Sequence, residues 1–74
     1  MTPSEIARVE AYLRATFSNA KIHVQAPKKR GAPIEVSVDG GFIGVLHRDD
    51  DEGEVSYSLT ISILEEDLPP VAGL

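Results

Sequence analysis

An α+β fold, with one N-terminal helix packed on a four-stranded antiparallel meander sheet, is the architecture that three observations predict. An apolar stripe of helical period opens the chain, and after residue 20 the period falls to two. Four such alternating runs follow, joined by connections too short to hold a crossover helix. Those connections are rich in Pro, Gly and Asp, the residues of turns.

The helix is predicted over residues 3–17. Thr2 is an N-cap, Pro3 takes the first helical position, and Glu5 completes a T-x-x-E capping box. Ile6, Val9, Leu13 and Phe17 then recur every three or four residues, with Tyr12 at the flank. Glu10 and Arg14 form an i, i+4 pair in the favoured orientation. Ser18-Asn19 ends the helix, Asn tolerating the left-handed cap conformation.

The strands come next. Lys21 to Ala26 alternates, and a loop bracketed by Pro27 and Pro33 leads to Ile34–Val38. Asp39-Gly40-Gly41 is a tight-turn signal before a third strand from Phe42 to Arg48. Asp49 to Gly53 turns the chain again. Residues 54–64 carry the cleanest alternation, with Val55, Tyr57, Leu59, Ile61 and Ile63 set against Ser56, Ser58, Thr60 and Ser62. One domain over 1–68 is expected, followed by an extended or frayed tail over 69–74. The predicted core sets Ile6, Val9, Leu13 and Phe17 against Ile22, Val24, Ile34, Val36, Leu59 and Ile61.

The second face of a sheet covered by one helix should be polar. Strand 3 breaks that rule. A two-residue turn at Asp39-Gly40 sends Ile43 and Val45 to the core face, whereas a three-residue loop with a bulge sends Phe42, Gly44 and Leu46 there. Either register leaves two large apolar side chains on the open face.

Composition narrows the function classes. With 42% hydrophobic and 26% charged residues, the chain is neither collagen-like nor disordered in character. Zero Cys removes disulfides, thiolate metal sites and Cys nucleophiles, and two His argue against structural zinc. No cofactor is expected. Seventy-four residues make a marginal core, so oligomerisation is the remaining route to stability. The net charge of −5 disfavours nucleic acid or an anionic membrane as a general partner. It is unevenly spread, +3 over residues 1–48 and −8 over 49–74. The first residues lack the pattern of a signal peptide, and no run approaches a membrane span, so a cytosolic protein is expected.

Three clusters invite chemistry, and each has a plainer explanation. The run Asp49-Asp50-Asp51-Glu52-Gly53-Glu54 offers hard oxygens for a cation, but setting Gly53 at the sixth place of an EF-hand loop puts Leu59 at the twelfth, where Glu is required. It reads as a solvated hairpin loop. Lys28-Lys29-Arg30, with Lys21, is a candidate anion or phosphate contact. No aromatic is interleaved with it, so a solvated loop tip is the simpler reading. His23 and His47 are the only acid–base candidates near neutral pH, and neither stands in a triad-like spacing. No catalytic residue is assigned and no enzyme is expected.

The helix opening Met1 to Arg8 with Tyr12-Leu13-Arg14, the string Phe42-Ile43-Gly44-Val45, and Arg48 to Tyr57 resemble a family of short alphaproteobacterial proteins of unknown function. The resemblance runs over about residues 2–68. It implies a bacterial cytosolic protein and brings no catalytic or binding residue with it.

The expected function is a non-enzymatic interaction or accessory module acting as a homodimer, with an unidentified protein partner also open to it. The alternative is a nucleic-acid or anionic-ligand binder using the basic loop. Strand 4, predicted longer than strand 3, leaves unpaired backbone near Thr60 to Leu64 with no Lys or Pro to protect it until Pro69. Candidate interface residues are Phe42, Leu46, Ser58, Thr60 and Ser62, with Ile43 and Val45 the apolar pair in the other register.

Overall fold

The computed structural model describes residues 1–71. A helix α1 (Pro3–Thr16) is followed by β1 (Ile22–Gln25), β2 (Ile34–Val38), β3 (Gly41–Asp49) and β4 (Ser56–Ile61). The strands form one antiparallel sheet in the order β1-β2-β3-β4, the expected meander. Single 3-10 turns occupy Asp51–Gly53 and Glu65–Asp67. Residues 72–74 of the expected tail lie outside the described residues.

The capping box forms as its sequence implies. The Glu5 N–H donates to Thr2 Oγ1 at 3.1 Å, and the Thr2 N–H donates to Glu5 Oε1 at 2.8 Å. At the other end the left-handed residue is Ser18 (φ 51°), one position before the Asn19 expected to take it. Asn19 N–H reaches back to the Arg14 carbonyl at 2.9 Å and Ser18 N–H to Ala15 at 3.3 Å, a Schellman pair. Asn19 instead uses its side chain, accepting from the Lys21 N–H to start the turn into β1.

Ile6, Leu13, Ile22, Val24, Ile34, Val36 and Leu46 form the buried core. Val9 and Leu59 are half-buried against it. Two predicted core residues are not in it: Phe17 is 59% exposed and Ile61 47%. The reason lies in where the helix rests. β1 is the one strand whose Cα atoms come within 8 Å of those of α1, so the helix covers the β1–β2 side of the inner face. Phe17 is the residue that caps the helix, and Ile61 stands on the far strand.

Strand 3 satisfies both anticipated registers by parts. Asp39 and Gly40 have φ of 52° and 84° and join Val38 directly to Gly41, as in a two-residue type I′ turn. The ladder then skips Ile43, Val36 pairing with Gly44 and Ser37 with Phe42. This bulge returns Gly44 and Leu46 to the core face, leaving Phe42 and Val45 on the outer one. Leu46, 3% exposed, is therefore core and unavailable as an outer-face contact.

The relative lengths of the last strands are the reverse of expectation. β3 has nine residues and β4 six. Thr60 and Ile61 are paired, with Val45 and Gly44, and the ladder stops beside the bulged Ile43. The chain from Ser62 onward leaves the sheet.

Candidate functional site

The outer edges of the sheet, β1 and β4, are built differently. On β1 the helix supplies the hydrogen bonds that a fifth strand would. Glu10 Oε2 accepts from the Val24 N–H at 2.9 Å, and Arg14 Nε donates to the Ile22 carbonyl at 2.7 Å. Glu10 and Arg14 also pair with each other at 3.4 Å, and His23 Nδ1 lies 3.0 Å from Glu10 Oε2. One carboxylate and one guanidinium thus close the exposed edge. On β4, no side chain among the described residues donates to or accepts from the free backbone edge.

A second cluster ties the start of α1 to the far end of β3 and β4. Arg48 Nε donates to Glu5 Oε2 at 2.7 Å, and the Tyr57 hydroxyl donates to the same oxygen at 2.8 Å. Arg48 also reaches Asp50 at 3.4 Å. The Thr2 N–H, the Tyr57 hydroxyl and the Arg48 guanidinium together lower the Glu5 carboxyl to about 2. The same contact raises Arg48 and Tyr57 above their ordinary values. A carboxylate so fully engaged does not exchange protons near neutral pH. Its role is to anchor the helix.

Between these ties the inner face lies open over β3 and β4. A hollow of ≈ 660 Å³ separates α1 from β4, walled by Val9, Tyr12, Leu13, Val55, Tyr57 and Leu59, with Glu5 and Arg8 on its polar side. A second, of ≈ 340 Å³, runs beneath the helix end past Phe17, Ile43 and Ile61. The two meet at Leu13 and Leu59. Tyr12, Phe17, Val55 and Ile61 are each about half exposed or more along this surface. Nothing in the alternation of β4 distinguishes a covered face from an uncovered one, so this surface was hidden from pattern reasoning.

The outer face carries Ser58 and Thr60 on β4, paired with His47 and Val45, and Phe42 at 63% exposure. Ser62 lies just beyond the strand. Phe42, Ser58 and Thr60 therefore share one side of the molecule, whereas Leu46 is in the core and Ser62 lies outside the sheet. The basic residues are divided. Lys21 stands before β1 and pairs with Asp39 at 3.8 Å, while Lys28, Lys29 and Arg30 follow β1 on the loop to β2. In the acidic loop, Asp49 Oδ1 accepts from the Asp51 N–H at 3.0 Å and Asp50 faces Arg48. Among the described residues no three His, Cys, Asp or Glu side chains converge as a metal site would need. Nor is any described helix long and apolar enough to cross a membrane.

No curated protein matches the chain, and no solved structure does. A family model matches residues 5–67, covering α1 from Glu5 onward, all four strands and the turn at Glu65–Asp67. The chain therefore belongs to the family described as Protein of unknown function (DUF3126).

Proposed function

We propose that this protein is a non-enzymatic interaction module that works as a homodimer joined through the free edge of β4. The observation that carries the reading is the contrast between the edges: Glu10 and Arg14 close β1, and no side chain among the described residues closes β4. The surface area supports it. The chain exposes 5982 Å², whereas a compact monomer of this mass exposes about 4,450 Å². The surplus of about 1,500 Å² includes the extended segment after β4, where Ile63, Leu64, Leu68 and Val71 are more than half exposed, together with the open half of the inner face. The Cα radius of gyration, 14.5 Å, likewise exceeds the ~11 Å of a compact chain of this length.

Edge pairing about a twofold axis makes an eight-stranded sheet in which Ser58 and Thr60 of both copies face the same side. Their small size permits close approach. The setting that accompanies this reading, a bacterial cytosol, comes from the family resemblance and the lack of Cys.

Sedimentation equilibrium tests it. The parent should be dimeric at tens of micromolar, and Thr60→Lys, which puts a charge on the edge strand, should be a folded monomer. A monomeric parent, or a Thr60→Lys variant that dimerises as well as the parent, overturns the reading.

A further inference from the structure

The segment that follows β4 is apolar, charged and unattached. Ile63, Leu64, Leu68 and Val71 are 73%, 53%, 52% and 72% exposed. Between them Glu65, Glu66 and Asp67 form a 3-10 turn. None of the three acids has a cationic partner among the described residues. The hollow between α1 and β4 has the complementary character. Its walls are mostly apolar, and on its polar side stand Arg8 and Glu5, the Glu5 carboxylate being engaged by Arg48 and Tyr57. Of the two arginines on α1, Arg14 is engaged with Glu10, whereas Arg8 has no carboxylate partner among the described residues.

We propose that the segment 62–71 of one copy lies in this hollow on a second copy, and reciprocally, an arm exchange that rests on the β4-edge dimer proposed above. Strand direction supplies the argument. About a twofold axis, an antiparallel β4–β4 pair sets residues of the same face opposite each other, so the partner's Ile61 stands opposite Tyr57 when the axis passes at Leu59 and opposite Val55 when it passes at Ser58. The partner chain therefore leaves the sheet beside Val55 and Tyr57, at the mouth of the hollow. Its own β4 releases the segment at the opposite end of the strand, about 17 Å away. Glu65 to Asp67 then come to Arg8, while Ile63, Leu64 and Leu68 bury against Tyr12, Val55 and Leu59. The exchange covers both the exposed arm and the uncovered half of the inner face.

The absence of native cysteine makes the test unambiguous. Arg8→Cys and Glu66→Cys, both exposed positions, are prepared separately, mixed and mildly oxidised, and the products separated without reductant. The mixture should give a covalent dimer several-fold in excess of either variant alone. The Arg8→Cys/Glu66→Cys double variant should likewise cross-link between chains. An intrachain disulfide in the double variant would place the arm on its own body and overturn the exchange. Absence of excess cross-linking in a sample that sediments as a dimer, and that Thr60→Lys dissociates, would overturn the exchange while leaving the β4 edge intact. A parent that sediments as a monomer removes both. As an independent check, Arg8→Glu should weaken self-association about tenfold, and Glu66→Arg in the same chain should restore it; an unchanged affinity in Arg8→Glu counts against the contact.

Discussion

The two edge strands of this sheet, β1 and β4, show how a small protein decides which of its surfaces is finished. β1 is short, with four residues, and its free edge is met by Glu10 and Arg14 from a helix lying beside it. β4 is longer, carries Ser and Thr on one face and Tyr57, Leu59 and Ile61 on the other, and among the described residues the helix reaches it through a hydrogen bond to the Tyr57 side chain and not along its backbone edge. The same helix creates both conditions. By latching to β1 it leaves β4 uncovered, and so sets one edge closed and the other available. Dividing the molecule this way predicts that equivalent substitutions will act on stability on the β1 side and on association on the β4 side.

The largest effect should separate two residues of one helical stripe. Leu13 is buried against the covered half, and Leu13→Ala should cost ~2–5 kcal/mol, enough to unfold so small a domain. Phe17 follows it by one turn but is 59% exposed. Phe17→Ala should cost under about 1 kcal/mol in the monomer. Denaturant titration at low protein concentration reads both. Equal costs would mean that the open half is covered in the monomer.

Gly44 comes next. A Cβ there would overlap the Thr60 carbonyl oxygen and stand 3.1 Å from its carbon, so Gly44→Ala must push β4 away from β3. The expected cost is ~1–3 kcal/mol, with hydrogen-exchange protection lost first from β4. Protection lost equally from β1 would show that the two sides do not open independently.

These residues also mark what the sequence makes legible. Capping box, helix stripe, turn at Asp39-Gly40 and strand order all rest on local chemistry, and pattern reasoning finds them. The bulge at Ile43 does not announce itself by period, because Ile43, Val45 and Leu46 are all apolar and fit either face. Gly44 is the one signal, a strand glycine that marks close backbone approach. The extent of β4 fails for a related reason: alternation continues to Ile63, but pairing needs a partner, and β3 leaves register at Ile43. Glu10 and Arg14 look from sequence like an ordinary helical ion pair. Their second role, on the backbone of β1, depends on a tertiary approach that no spacing encodes.

That role gives the third prediction. Glu10→Ala removes the acceptor for the Val24 N–H and the partner of Arg14, and should cost ~1–3 kcal/mol. It also exposes a second edge, so light scattering should show assembly beyond the dimer. A variant that stays dimeric at the parent's concentration would mean that β1 needs no guard. Thr2→Ala, which removes only the acceptor for the Glu5 N–H, should cost ~1 kcal/mol and leave association unchanged.

The smallest effect concerns the tie between the helix start and the β4 side. Glu5 is depressed from an ordinary 4.5 to about 2 by the Thr2 N–H, the Tyr57 hydroxyl and Arg48. A carboxyl whose folded value lies below its unfolded one binds more protons when unfolded, so its contribution is complete above 4.5. It declines as the pH falls from there through about 2, where the folded group also protonates. The group stands near solvent, which screens the contribution and makes it modest. Unfolding midpoints measured between neutral pH and pH about 2 should therefore decline, and Glu5→Gln should flatten part of that decline. Salt should weaken the contact to Arg48 and leave the hydrogen bond from Tyr57 in place. If the Glu5→Gln profile runs parallel to the parent's, the carboxylate does not hold α1 over β4. The helix would then be positioned by its latch to β1 alone, and the two sides of the molecule would be still less dependent on each other than the edges suggest.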